Sequence, residues 1–154
     1  MKLSALILAF ICVFAFVGCN SNTVTDNPSA EPTPNSWGVT LEAENISPEG
    51  LTIVCKQSGG EEVSELFTGS FYSLQRSEDG EWKDIEFLPQ EYDVAWTSEA
   101  WIIPKDESTE WEVDWEWLYG KLPEGEYRIG KEIMNFRKTG DYDEEIIYAY
   151  FEIR

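Results

Sequence analysis

The chain contains no histidine. That removes the usual imidazole general base and the commonest metal ligand. Cations are scarce, with 11 Lys+Arg against 30 Asp+Glu and a formal net charge of −19. A surface this acidic repels phosphate, which makes nucleic acid and anionic lipid poor partners. There is no G-x-S-x-G, and with no histidine nothing stands ready to activate a serine or cysteine. Gly59-Gly60 is followed by Glu61-Glu62, so that glycine pair is a turn and not a phosphate cradle. No internal repeat and no sustained helical period is visible. What the chain does have is aromatic mass: 7 Trp, 7 Tyr and 8 Phe, far too many for a solvated tail. At 154 residues it has room for one domain and an appendage.

The appendage is N-terminal. Lys2 forms a short basic region, and Leu3–Val17 is apolar except for Ser4, a run of 15 residues. A spanning helix needs ~20. The run closes on Val17-Gly18-Cys19, which resembles the lipobox of bacterial lipoproteins. That resemblance implies cleavage between Gly18 and Cys19, and attachment of a diacylglyceryl group to the Cys19 thiol. Two or more acyl chains anchor a protein stably where one does not. Cleavage leaves 136 residues with 10 basic against 30 acidic side chains, and Cys19 and Cys55 as the remaining cysteines. With Cys19 lipidated, no internal disulfide can form.

Residues 19–36 are then a lipidated cysteine and a flexible tether. The stretch after Cys19 holds three prolines and no aromatic residue. From Trp37 to Arg154 the composition is that of a folded domain. Short alternating runs broken by Gly, Pro and Asp predict strands. Val39, Leu41 and Ala43 form one apolar phase, and Leu51, Ile53 and Cys55 a second. Tyr72 and Leu74 lead to Asp79-Gly80, a strong hairpin signal, after which Trp82 and Ile85 return. Glu99–Ile103 is a short run stopped by Pro104. Trp111, Val113, Trp115 and Trp117 alternate with Glu112, Asp114 and Glu116. Tyr127, Ile129, Lys131 and Ile133 make another phase, and Ile147, Ala149, Phe151 and Ile153 the last. Seven or eight mostly antiparallel strands predict an all-β, immunoglobulin-like sandwich.

Two local patterns agree with that fold. Leu51–Cys55 looks like the second strand of an immunoglobulin domain. Leu122-Pro123-Glu124-Gly125-Glu126-Tyr127 looks like a tyrosine corner, with Ile129 where a second cysteine would stand. Cys55 is therefore expected to be a buried, inert thiol near Ile129. More broadly, residues 37–154 resemble a bacterial immunoglobulin-like domain family found in lipoproteins of Gram-positive gut bacteria. The matching stretches are Gly38–Glu44, Gly69–Trp82, Glu91–Pro104, Thr109–Lys131 and Tyr148–Ile153. The resemblance implies a fold and a surface location, and no catalytic residues.

Three constellations bear on function. The Trp111–Trp117 alternation reads as an inner face with a wet acidic outer face, the competing reading being a sugar platform. Trp96 and Trp101, with Tyr92 beside them, are the candidate ligand surface. Asp141, Asp143, Glu144 and Glu145 follow Gly140 without the register of a calcium loop, so a solvated turn is expected and no metal site. Paired carboxylates for glycoside hydrolysis find no evident cleft in so small a sandwich. The expected function is a non-enzymatic, membrane-anchored surface lipoprotein displaying an adhesion or ligand-binding module. The alternatives are an extracytoplasmic proteinase inhibitor, on a distant likeness of the LPEGEYRI segment, and a small carbohydrate-binding module. No cofactor is expected. The expected partners are the membrane, through lipid on Cys19, and an unidentified protein or glycan, with the chain itself a monomer.

Overall fold

A computed structural model describes residues 32–154 apart from Tyr92. The Gly18-Cys19 junction and most of the tether lie outside the described residues, as does Tyr92.

Among the described residues, nine strands and one helical turn follow one another: β1 (Val39–Glu44), β2 (Gly50–Gln57), β3 (Glu65–Thr68), β4 (Ser73–Glu78), β5 (Glu81–Asp84), β6 (Trp101–Ile102), β7 (Ser108–Asp114), α1 (Glu116–Tyr119), β8 (Gly125–Lys138) and β9 (Asp141–Ile153). The small sheet runs β1-β2-β7. The larger sheet is organised by β8. One edge of β8 pairs with β9 along its length. The other edge is shared, with β4 on Tyr127–Gly130 and β3 on Ile133–Phe136. β5 adds to β4, and β6 to β3. Every pairing is antiparallel. This is an immunoglobulin-like β-sandwich, with nine strands in place of the seven or eight expected.

The core follows from the alternation. Leu41 and Cys55 are cross-strand partners, as are Ala43 and Ile53, and Leu41, Ile53 and Cys55 are buried. From the other sheet Tyr127, Ile129, Ile133, Ala149 and Phe151 point inward into the same cluster. Asp79 and Gly80 both take positive φ (54° and 82°), the conformation a tight hairpin demands and a Cβ-bearing residue other than Asn or Asp resists. The tyrosine corner is present: the Tyr127 hydroxyl donates to the Pro123 carbonyl at 2.7 Å, and its ring is fully buried. Cys55 is buried as a free thiol in the same cluster as Ile129, and burial pushes it up to about 12. At the start of the fold, Asn35 Oδ1 accepts from the backbone of Trp37 and Val39, while Asn35 Nδ2 donates to Glu145.

Two sequence expectations are corrected. The Trp111–Trp117 run is not one strand. It stops at Asp114, whose carboxylate accepts the Glu116 N–H at 3.0 Å and turns the chain into α1. A short side chain bonding its own following backbone outcompetes the ladder here. Trp115 therefore swings into the core, its ring stacked 5.6 Å from Phe151 and its Nε1 donating to the Pro48 carbonyl. Trp117 swings out to 54% exposure. The acidic segment Asp141–Glu145 is not a turn but the first part of β9. The hairpin closes at Thr139-Gly140, and Arg137 neutralises the strand by donating to Asp141 (2.7 Å) and Asp143 (2.6 Å). Cross-strand opposite charges of this kind make an acidic strand tolerable.

Candidate functional site

The sandwich has two open flanks. On one, β1 lies against β9. On the other, the edges β5, β6 and β7 are bridged by the long connection 85–100, whose described residues have no regular hydrogen-bonded structure. That connection is tied to the rest of the fold by several hydrogen bonds, the first from the Ile85 N–H to the Leu74 carbonyl. The Leu88 N–H donates to Leu118 in α1, Gln90 Nε2 reaches the Trp117 carbonyl, and the Thr97 carbonyl accepts from the Ser70 hydroxyl.

Aromatic rings collect along this flank. Trp96 meets Phe71 edge-on at 5.3 Å and Tyr72 at 5.1 Å, and lies 6.4 Å from Trp117. Tyr72 continues to Tyr119 at 6.2 Å, and Tyr119 to Phe87 at 5.1 Å. Apart from the tilted Tyr72–Tyr119 pair these are T-shaped contacts, an arrangement that ring quadrupoles favour. The series is buried at Tyr72 and Tyr119, half-buried at Trp96 and exposed at Phe71, Phe87 and Trp117, with exposed Leu88 beside it. Further along, Trp101 on β6 stacks on Trp111 on β7 at 5.7 Å and 22°, joining the two sheets.

Beneath that stack lies a residue that sequence reasoning did not single out. Lys131 is 1% exposed on the inner face of β8. Its ammonium sits 5.0 Å from the Trp101 ring and 6.0 Å from Trp111, and donates to the carbonyls of Gly69 and, at 2.8 Å, Phe71. It fills the seam where β4 leaves β8 and β3 begins, satisfying two carbonyls of the β3–β4 connection. It forms no ion pair among the described residues, and burial pulls its pKa down to about 8. Its phase with Ile129 and Ile133 was the available signal, since a lysine in an apolar phase is a buried lysine.

The structure thus brings Trp96 and Trp101, two of the three predicted ligand residues, to one flank. Both are half-buried, and Trp101 is occupied by Trp111 and Lys131. The open tryptophan is Trp117, which the sequence pattern had assigned to an inner face. No group of three or more Cys, Asp or Glu that could hold a metal ion occurs among the described residues. The thiol of Cys55 is sealed in the core, and the exposed ion pairs, such as Lys56–Glu42 at 2.7 Å, are peripheral to the flank. The arrangement suits stacking and burial of a ligand's flat or apolar parts, with carboxylates around it.

Comparison with known proteins agrees with the architecture. No curated protein and no solved structure matches the chain. A family model, described as a bacterial Ig-like domain, matches residues 35–151. The match takes in both sheets, the tyrosine corner and the whole aromatic flank, and the chain belongs to the bacterial Ig-like domain family.

Proposed function

We propose that this protein is a non-enzymatic surface lipoprotein, anchored through lipid on Cys19, whose Ig-like domain binds a ligand on the flank formed by Phe71, Phe87, Trp96 and Trp117. The observation that carries the reading is the exposure of the rings at the end of that series, above all Trp117 at 54%. Apolar side chains held rigid by ring contacts and left open to water mark an interaction surface. The absence of histidine and the inert, buried Cys55 support a binding role over catalysis. The Val17-Gly18-Cys19 junction and the proline-containing stretch after it support extracytoplasmic display at a membrane.

Metabolic labelling with an alkynyl fatty acid tests the anchor. Wild type takes up label and partitions with membranes, and Cys19→Ala does not. Equal labelling of both overturns the anchor. A carbohydrate ligand is the second reading, favoured by the same exposed tryptophan. Turnover of a glycoside or peptide, lost on one Asp or Glu substitution, would overturn the non-enzymatic assignment.

A further inference from the structure

The charge around the aromatic flank narrows what it can hold. Residues 85–120 supply the β5–β6 connection, β6, β7 and α1, and they carry ten Asp or Glu and one cation, Lys105. On the connection itself Glu86, Glu91, Asp93 and Glu99 are exposed and form no ion pair among the described residues. Glu110, Glu112 and Asp114 line the exposed phase of β7. Glu116, at the start of α1, is 3.8 Å from Lys121. Elsewhere the domain pairs its carboxylates where a cation is at hand: Glu42 with Lys56, Glu78 with Lys83, Asp141 and Asp143 with Arg137. What sets the flank apart is that its run of carboxylates has a single lysine within it and lies beside open rings. Ring faces are electron-rich and attract cations, and unpaired carboxylates add to that field.

We infer that the occupant of this flank is an extended cationic peptide segment of a partner protein, rich in lysine or arginine, laid along the Phe71–Trp96–Trp117 rings with its cations over the rings and toward Glu91, Asp93 and Glu99. The inference rests on the flank being the ligand surface, as proposed above. A single small cation does not use the site, because the carboxylates are strung along the connection and β7 and do not converge at one point. An anionic partner is repelled. A neutral glycan can donate hydroxyl hydrogen bonds to a few of these carboxylates but does not offset their summed charge.

The full chain, purified in a non-ionic detergent, is titrated with a fluorescent peptide of alternating Lys and Ser, its Glu–Ser counterpart and a neutral oligosaccharide. The Lys–Ser peptide binds and the Glu–Ser peptide does not. Trp117→Ala, at an exposed position, weakens binding about tenfold or more, as loss of an aromatic anchor does. The triple change Glu91→Gln/Asp93→Asn/Glu99→Gln weakens it comparably. A charge-matched triple away from the flank, Glu61→Gln/Glu62→Gln/Glu144→Gln, leaves it within about twofold, since well-separated exposed charges are screened at physiological salt. Lys–Ser binding that ignores Trp117→Ala, or falls equally with either triple, is bulk attraction to an acidic chain and overturns the inference. Trp117-dependent binding of the oligosaccharide alone overturns the cationic assignment and keeps the flank as the ligand surface. No Trp117-dependent binding of any probe overturns both.

Discussion

Lys131 gives the fold an unusual response to alkaline pH. Its buried ammonium titrates near 8, against 10.5 for an unburied lysine. Below both values the proton is on in the folded and the unfolded chain, and burying the charge costs stability. Between them the unfolded chain holds the proton and the folded chain does not, so stability rises with pH. Across the whole gap the gain is about 3 kcal/mol, at about 1.4 kcal/mol per pH unit. Cys55 acts in the opposite direction. Its folded thiol titrates near 12 against 9.0, so the unfolded chain loses that proton first and stability falls above pH 9. Tyr72 and Tyr119, raised mainly by burial, add to the fall above pH 10. Lys131 is therefore unopposed from pH 8 to 9 and offset thereafter. The net expectation is a rise of about 1 kcal/mol between pH 7 and 9, a flat maximum, and then a decline. Urea unfolding followed by tryptophan fluorescence, at closely spaced pH values, measures it. In Lys131→Met the rise disappears and only the decline remains. In Cys55→Ala the rise continues past pH 9. A wild type whose stability is level or falls from pH 7 to 9, or a Lys131→Met variant that keeps the rise, refutes the reasoning.

Other outcomes follow from the packing. Tyr127→Phe removes the corner hydrogen bond to Pro123 and leaves that carbonyl without its donor, costing about 1–2 kcal/mol in urea unfolding. Trp115→Ala empties a fully buried site stacked on Phe151 and costs about 3–5 kcal/mol, read the same way, whereas Trp117→Ala at its exposed position leaves the midpoint nearly unchanged. Cys55 reacts slowly with a thiol reagent in the native protein and quickly in denaturant, and rapid native labelling would contradict its place in the core.

The parts of the fold that could be read from the residues are those whose physics is local. Val39–Ala43 and Leu51–Cys55 show their inner phase directly, because a strand half in water must alternate. Asp79-Gly80 announces its turn through the one backbone conformation it favours, and Leu122–Tyr127 its corner through a proline carbonyl four residues from a tyrosine. What misled was competition between local and distant partners. The alternation of Trp111, Trp115 and Trp117 persists on paper through Glu116, but the Asp114 carboxylate bonds the next turn and ends the strand. The acidity of Asp141–Glu145 reads as solvated turn until Arg137 is placed across the hairpin. β3, at four residues, is too short to show a period, and it is fixed by β8, 65 or more residues on. The candidate surface was legible in part. Trp96 declares itself in a segment without alternation, whereas the openness of Trp117 depends on where the chain leaves β7. The role of Lys131 depends on Gly69 and Phe71, which only the fold brings to it.

The role of the aromatic flank as a binding surface is measured most directly by a paired array experiment. The full chain and its Trp117→Ala variant, both in non-ionic detergent, are applied to one array of host and bacterial glycans together with cationic, neutral and acidic peptides. A restricted set of features binds wild type and is lost with Trp117→Ala, at unchanged urea stability. An identical binding profile for the two proteins would show that the flank is not the binding surface.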